Sequence, residues 1–124
     1  VSGDLVTWAE CGGLLWLCEA LDGIPMVGAI PARGRMTENL TIGYRSAVTR
    51  VASPFGPAGV VLRGHEFHRS VLEPAGSALK LAGRFGEGEA GYASPTLFAS
   101  YLHQHIASTP ALAESFVAAA GRGR

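Results

Sequence analysis

The feature that most constrains the fold is a cysteine set between a strand pattern and a helix pattern. Residues 5–9 form a short run rich in β-branched and aromatic side chains, which predicts a buried strand. Apolar residues then recur at helical spacing, and residues 22–25 (DGIP) contain the glycine and proline that typically end a helix. Cys11 is therefore predicted to lie on the turn from strand to helix, followed at once by Gly12 and Gly13.

This turn is suited to presenting a nucleophilic thiol. Two glycines allow the backbone to turn sharply and let a substrate approach the first helical amides, whose N–H groups have no partner within the helix. The helix start favours a thiolate by roughly 0.3–1 kcal/mol. That help matters because a free cysteine, with a pKa of about 8.5, is mostly protonated at neutral pH. The alternative is that Cys11 is a small buried apolar residue.

Composition limits the chain to one globular domain. It has 124 residues, 48% hydrophobic and 16% charged, which is enough for a core and too few for two domains. Ten Lys plus Arg residues balance ten Asp plus Glu residues, so no basic field favours nucleic acid or an anionic membrane. The longest apolar region, residues 5–21, contains charges and glycines, and no signal-peptide pattern opens the chain. We therefore expect a cytoplasmic protein that binds neither nucleic acid nor membranes.

The second cysteine, Cys18, follows Cys11 by seven residues. On one helix this spacing separates the two by about 10 Å, which is too far for a disulfide. Cys18 shares the apolar face of the predicted helix with several leucines, so we expect it in the core.

The middle of the chain has the pattern of short strands separated by turns. Residues 86–91 match GxGxxG in letters, but two glutamates would repel a pyrophosphate, so a glycine-rich hairpin turn is expected there. An edge strand is predicted at residues 79–82. The other predicted strands are 26–30, 40–45, 47–51, 59–63, 65–68 and 96–102.

A helix is predicted at the end of the chain. Thr109 and Pro110 suit its first positions, because they offer a capping oxygen and a preset backbone angle. Gly121 is expected to end it, and its apolar face is predicted to hold Leu112, Phe116, Val117 and Ala120. Together with the strands, this helix predicts one α/β domain with a mixed sheet.

Two histidines at the end of the last predicted strand are candidates for a general base. Ligands of open α/β sheets bind beyond the carboxyl ends of strands, where both Cys11 and His103 lie. If the first and last strands are neighbours, the imidazole can take the thiol proton and later give it to a leaving amine. His105 points to the same side by strand alternation and is the alternative base, whereas Tyr101 is expected to pack.

Metal binding is the competing interpretation of the histidines. His65 and His68 stand one residue too close for the helical HExxH zinc pair. In an extended segment Glu66 and His68 face one side, with His65 and Phe67 on the other. We therefore expect no metal site and interpret these two histidines as hydrogen-bonded sheet residues.

Four motifs carry a resemblance to a known enzyme family. They are AECGGL at 9–14, LTIGYR at 40–45, RGHEFH at 63–68 and ASYLHQH at 99–105. The chain resembles the later part of the C-terminal glutamine amidotransferase domain of cobyrinic acid a,c-diamide synthases. Cobyric acid synthases share the general plan, but GHEFH and SYLHQH favour the diamide synthases. The resemblance implies a class I, flavodoxin-like α/β fold truncated at its N-terminal side, with residues 1–124 forming part of the domain.

The resemblance also implies a reaction. Cys11 would attack the side-chain amide of glutamine, and the amide N–H of Gly12 would supply half of an oxyanion hole. His103 matches the family's Tyr-Leu-His motif and would shuttle the proton, with His105 as the alternative base. Glu66 is a candidate for orienting the imidazole, because this family lacks the His-x-Glu ending of other class I enzymes. The released ammonia would amidate ATP-activated carboxylates of a corrin.

Departures from the family pattern limit what this chain would do alone. No Walker A sequence occurs, so the resemblance implies that ATP, Mg²⁺ and the corrin belong to an absent synthetase domain and that this chain holds no cofactor. The early strands, with the second oxyanion donor, would be missing before Val1. A parallel sheet without its first strands exposes an apolar edge, so a homo-oligomer is expected. The alternative function is a non-catalytic part for docking and oligomerisation.

Overall fold

A computed structural model of the chain describes residues 5–84 and 86–122, which form two β-sheets and two α-helices. The helices are α1 (Gly12–Leu17) and α2 (Pro110–Arg122), with a 3-10 turn at Ile106–Ser108. The strands are β1 (Thr7–Glu10), β2 (Ala20–Leu21), β3 (Ile24–Pro25), β4 (Arg33–Thr49), β5 (Val61–Glu73), β6 (Leu79–Gly83), β7 (Gly86–Ala90), β8 (Tyr92–Ser94), β9 (Leu97–Ser100) and β10 (His103–Gln104).

The smaller sheet contains three strands in the order β1, β9, β8. β1 runs parallel to β9 with Glu10 opposite Ser100, and β8 pairs antiparallel with the other side of β9. The first and last predicted strands are thus neighbours, which is the condition on which the choice of His103 as a base depends. The carboxyl end of β1, where Cys11 follows, therefore lies beside the point at which the chain leaves β9.

The larger sheet has seven strands and is built on the long antiparallel hairpin of β4 and β5. β10 pairs with β5, which places His103 opposite His65 and Gln104 opposite Gly64. Gly64 allows this pairing, because a Cβ atom there would collide with the carbonyl oxygen of His103. The other side of β4 pairs with β2 at its start and with β6 near its end.

Helix α1 is shorter than predicted. It ends at Leu17 instead of continuing to Leu21, because the amide of Glu19 donates to the carbonyl of Ala32 (2.8 Å) and the chain enters β2. The strand predicted at residues 26–30 is wrong, since the strand in this part of the chain is β3.

The strands predicted separately at residues 40–45 and 47–51 belong to one long strand that begins in a polar segment. β4 runs for 17 residues and includes both 40–45 and most of 47–51. It pairs with β5 on both sides of a register irregularity between Met36 and Thr41. Backbone hydrogen bonds to β5 keep this half of the strand extended although its side chains are mostly polar and exposed.

The glycine-rich segment forms strand β7 instead of the predicted hairpin turn. It pairs antiparallel with β6, so β6 lies between β4 and β7 and is not an edge strand. An ion pair between Lys80 and Glu87 (3.5 Å) adds opposite charges across these strands.

The core consists of two clusters on the two faces of the smaller sheet. On one face Ala9 packs with Leu14 of α1 and with Cys18, which has no exposed surface, so its predicted place in the core is confirmed. On the other face the Phe55 ring lies 5.1 Å from that of Phe98 and 5.2 Å from that of Trp8, between ring centroids.

Helix α2 joins the second cluster through Leu112 and Phe116. Val117 was predicted on the apolar face but is exposed, and the helix continues past Gly121 to Arg122. Leu112 and Ala119 are the buried residues of the helix, so the buried stripe is narrower than the apolar residues suggest.

These elements confirm a mixed α/β fold. Within the described part of the chain, no helix combines the length and the apolarity that a membrane crossing requires. Two residues, Tyr101 and Leu102, connect β9 of the smaller sheet to β10 of the larger one. The candidate site lies at this junction.

Candidate active site

The turn between β1 and α1 holds Cys11 in an unusual backbone conformation. Its φ is 51° and its ψ is −103°, a region that costs a non-glycine residue on the order of 1–3 kcal/mol. Gly13 lets the turn pack closely on β1, because a Cβ atom there would lie 3.2 Å from that of Ala9. Gly12 has open space where a Cβ would stand. The chain thus displays the thiol on a sharp strand-to-helix turn with a free approach beside it.

The thiol itself is partly buried. Its Sγ donates a weak hydrogen bond to the carbonyl oxygen of Phe67 in β5 (3.9 Å). Burial raises the pKa of Cys11, the Gly12 amide opposes this, and the charges of Glu10 and Glu66 raise it further. The expectation that the helix start would favour the thiolate is therefore outweighed. The sulfur stays protonated at neutral pH unless a base takes its proton.

The amide of Gly12 is the group best placed to donate to an oxyanion at this turn. It lies next to the sulfur, as its lowering effect on the pKa of Cys11 indicates, and the first helical N–H groups have no intrahelical acceptor. One backbone donor is half of the usual pair that stabilises a tetrahedral intermediate.

His103 stands at the edge of the larger sheet, beside the end of β1. Its Nδ1 lies 3.9 Å from a carboxylate oxygen of Glu10, and its ring stacks on that of His65 at 5.0 Å between centroids. The other oxygen of Glu10 accepts a hydrogen bond from the amide of Gln104 (3.1 Å). Among the described residues, the hydrogen-bond partner of the Cys11 thiol is the Phe67 carbonyl and not an imidazole.

His105, the alternative base, belongs to the same histidine group. Its Nε2 lies 3.4 Å from Nδ1 of His65, and the two ring centroids are 5.4 Å apart. His65 therefore contacts both candidate bases, which lie on one side as strand alternation predicts. The Glu10 carboxylate lies beside His103.

The structure does not join Glu66 to His103. The Glu66 carboxylate accepts a hydrogen bond from Nε of Arg45 (2.9 Å) and lies 3.4 Å from Nε2 of His68. Burial alone would raise the pKa of Glu66, but the hydrogen bond with His68 and the charge of Arg45 outweigh it and hold that pKa below its ordinary value. The physical reason is strand alternation, because Glu66 and His68 share one face of β5 and His65 lies on the other.

Tyr101 packs, as predicted, and closes this buried network. Its ring stacks on that of His68 with 3.6 Å between centroids, and its hydroxyl is 2.8 Å from the Ser70 hydroxyl. Burial raises the pKa of Tyr101. Tyr101, His68 and Ser70 thus pack together beside the Arg45–Glu66 ion pair.

Sequence analysis assigned no role to Glu10 or Arg45. Glu10 stood in the cysteine motif, and its position next to the thiol was a signal that was not used. Arg45 lies opposite Gly64 in the strand pairing, a register that the sequence alone does not reveal. Among residues 5–84 and 86–122, no three His, Cys, Asp or Glu side chains are arranged to hold a metal ion.

Comparison with known families decides the class of this arrangement. Residues 1–111 match the model of the CobB/CobQ-like glutamine amidotransferase domain. The chain belongs to this family. The turn, the thiol and the histidines therefore lie within a domain of the amidotransferase family.

Curated relatives carry related names. The chain is 49% identical over 111 residues to the hydrogenobyrinate a,c-diamide synthase of Streptomyces coelicolor, covering 88% of this chain and 23% of the relative. It is 46% identical over 125 residues to the protein of the same name from Thermobifida fusca, covering 95% and 26%. It is 44% identical over 129 residues to the cobyrinate a,c-diamide synthase of Synechococcus, covering 96% and 28%. The chain spans about a quarter of the length of these relatives.

Proposed function

We propose that this chain is the glutaminase part of a cobyrinate or hydrogenobyrinate a,c-diamide synthase. It would release ammonia from glutamine for the ATP-dependent amidation of corrin carboxylates in cobalamin biosynthesis. The observation that carries the proposal is the turn of Cys11, where a strained residue presents its thiol beside an open glycine amide and near a carboxylate-paired histidine. Membership of a glutamine amidotransferase family supports glutamine as the substrate of that thiol.

The proposed reaction begins with transfer of the Cys11 proton to the imidazole of His103. The step requires the Cys11 side chain to rotate away from the Phe67 carbonyl, or one water to bridge the sulfur and the imidazole. The thiolate adds to the side-chain carbonyl carbon of glutamine, and the oxyanion accepts from the Gly12 amide. The C–N bond then breaks, the imidazolium gives its proton to the leaving nitrogen, and ammonia departs.

Water completes the cycle. It attacks the glutamyl thioester while His103 accepts its proton, the C–S bond breaks, and the proton returns to the sulfur. Glutamate leaves and the thiol is restored. His105 is the alternative base in this scheme, reached through the same histidine group.

We also propose that residues 1–124 are part of a class I, flavodoxin-like amidotransferase domain whose N-terminal strands lie outside the chain. β1 is a terminal strand of the smaller sheet among the described residues, so its outer edge is available for pairing. Beside it, Trp8, Glu10, Gln104 and Ile106 line an open cleft of about 440 Å³. An open strand edge beside an open cleft is a place where a further segment of the domain could pack.

The remaining parts of the proposal concern partners. Glutamine is the substrate of this chain, while the corrin, ATP and Mg²⁺ would bind the synthetase part, and the protein would act in the cytoplasm. Self-association is expected from exposed apolar side chains on the hairpin, among them Tyr44 (79% exposed) and Phe67 (56%). Light scattering tests this, and a strictly monomeric chain would count against it.

The test of the main proposal compares two proteins. One is this chain; the other is the Streptomyces coelicolor relative in which the aligned segment is replaced by this chain, called the chimera below. Glutamate release is measured for both, and a diazoketone analogue of glutamine is used to label the nucleophile. We expect hydrolysis by the chimera and labelling of Cys11, with both lost in Cys11→Ala. Labelling at another residue, or equal hydrolysis by the variant, would refute the assignment.

A second candidate is a non-catalytic docking part. It is favoured by one observation, the contact of the thiol with the Phe67 carbonyl in place of an imidazole. If neither the chain nor the chimera releases glutamate, and the relative itself does under the same conditions, this candidate is the better one. An amidotransferase domain of a cobyric acid synthase is a third, and corrin substrate preference of the chimera separates it.

A further inference from the structure

We propose that Glu10, the residue directly before the nucleophile, is the carboxylate that positions His103 for proton transfer. The inference rests on the proposed glutaminase function and adds a residue to it. Glu10 would act through the imidazole and would not touch glutamine, so it is a positioning residue.

One carboxylate contacts both residues of β10. Oε2 of Glu10 lies 3.9 Å from Nδ1 of His103, and Oε1 accepts the hydrogen bond of the Gln104 amide at 3.1 Å. The Glu10 side chain is 27% exposed and that of His103 is 36% exposed, so the pair is half-shielded from solvent. The hydrogen bond with Gln104 fixes the carboxylate, and its second oxygen then has a defined position beside the imidazole.

The contact between Glu10 and His103 results from strand pairing. Glu10 is the last residue of β1 and stands opposite Ser100, the last residue of β9. β10 begins three residues after Ser100, so the carboxylate at the end of β1 meets the start of β10. The same register that places the thiol at the site therefore places the carboxylate there.

The other candidate carboxylate, Glu66, binds different partners. Glu66 binds Arg45 at 2.9 Å and lies 3.4 Å from His68, and it faces the opposite side of β5 from His65, on which His103 stacks. Among the described residues, Glu10 is the carboxylate that lies within 4.0 Å of a His103 ring nitrogen, a contact that becomes an ion pair when the imidazole is protonated.

A carboxylate at Nδ1 has two effects on the imidazole. It favours the tautomer with hydrogen on Nδ1, which leaves the lone pair of Nε2 free to accept the Cys11 proton. It also stabilises the imidazolium once the proton has moved. The negative charge of Glu10 opposes a lone thiolate, so the thiolate and the imidazolium are expected to form together.

The experiment uses Glu10→Gln, whose amide oxygen can still accept from Gln104 but whose charge is gone. The matched control is Glu19→Gln, because Glu19 also stands 3.9 Å from its partner, Arg33, and lies away from the site. Glu66→Gln tests the competing carboxylate. In the chimera we measure kcat and KM for glutamate release. In this chain we measure the His103 tautomer by ¹⁵N chemical shift.

We expect Glu10→Gln to lower kcat at least about tenfold with KM little changed, and to shift His103 away from the Nδ1–H form. A fully buried orienting carboxylate in a serine-protease triad is worth about 10⁴-fold, and this half-exposed pair is worth less. Glu19→Gln should change neither quantity. Glu10→Asp keeps the charge, so it should retain more of kcat than Glu10→Gln, which tests the idea even where one variant folds poorly.

Two results would overturn the inference. One is an unchanged His103 tautomer in Glu10→Gln, and the other is a tautomer shift in Glu66→Gln alone. The tautomer measurement needs no catalysis, so it separates this inference from the glutaminase proposal. A parent chimera without glutaminase activity counts against the latter, while a tautomer shift in Glu10→Gln would still support the pairing.

Discussion

Removal of the Arg45 side chain is predicted to destabilise the fold strongly and in a pH-dependent way. In Arg45→Met the Glu66 carboxylate loses its partner at 2.9 Å and keeps only His68 at 3.4 Å. The two side chains of the pair are 15% and 11% exposed, so the remaining charge stays largely buried. Breaking a buried pair in this way costs about 3–5 kcal/mol. We expect a value near the lower end, about 3 kcal/mol, because His68 still lies 3.4 Å from the carboxylate.

The sign of the pH effect follows from the pKa of Glu66. In the parent this pKa is lowered, so the carboxylate contributes stability above the ordinary pKa of a glutamate, and this is lost as pH falls through the folded value. In Arg45→Met both lowering contributions of Arg45 are gone, so the pKa of Glu66 rises relative to the parent. The stability difference between parent and variant should therefore be larger near pH 7 than at pH 4, because the parent loses its Glu66 contribution as pH falls.

Urea unfolding followed by circular dichroism at both pH values measures this difference. The control is Arg33→Met, which removes an exposed pair at 3.9 Å, with side chains 71% and 44% exposed, and should cost at most about 1 kcal/mol. The double variant Arg45→Met with Glu66→Met should be more stable than Arg45→Met alone. The reasoning is refuted if Arg45→Met costs no more than Arg33→Met, or costs the same at both pH values.

Three further predictions concern the turn and the pairing of β10. Gly64→Ala should destabilise the chain by about 2 kcal/mol or more and abolish glutaminase activity, since its Cβ collides with the His103 carbonyl. Urea unfolding measures the loss of stability. In the control, Gly88→Ala, the added Cβ has open space, so this variant should unfold like the parent. Alkylation by iodoacetamide, followed by peptide mapping, should modify Cys11 before the fully buried Cys18 and accelerate at alkaline pH, because burial raises the pKa of Cys11; earlier labelling of Cys18 would contradict this burial. Cys11→Gly should be about 1 kcal/mol more stable than Cys11→Ala, since glycine relieves the positive φ, and equal midpoints would argue against strain.

Sequence reasoning predicted the turn of Cys11 because strand, glycine and helix patterns change there within a few residues. It named His103 as a base on the condition that the first and last predicted strands are neighbours, and β1 does pair with β9. The extent of β4 could not be predicted, because its polar first half is held by backbone pairing with β5 and not by buried side chains. Helix α1 ends early for a similar reason, because the Glu19 amide bonds to the carbonyl of Ala32, thirteen positions further along the chain.

The site was predicted as a set of candidates but not as a set of contacts. Alternation correctly paired Glu66 with His68, yet the partner that neutralises Glu66 is Arg45, which depends on the register of two long strands. Glu10 was hidden for another reason. Its contact with His103 spans 93 positions of the chain and arises only when β1 and β9 align.

The two-residue connection between β9 and β10 has a mechanical consequence. Cys11, the proposed nucleophile, follows β1 of the smaller sheet, whereas His103, the proposed base, is paired into the larger one. A displacement of about 1 Å between reacting groups can change a rate about a hundredfold. The distance between thiol and imidazole therefore depends on the relative position of the two sheets. Binding of a partner to the exposed hairpin that shifts β5, and with it β10, would change the rate of proton transfer without any contact at the sulfur.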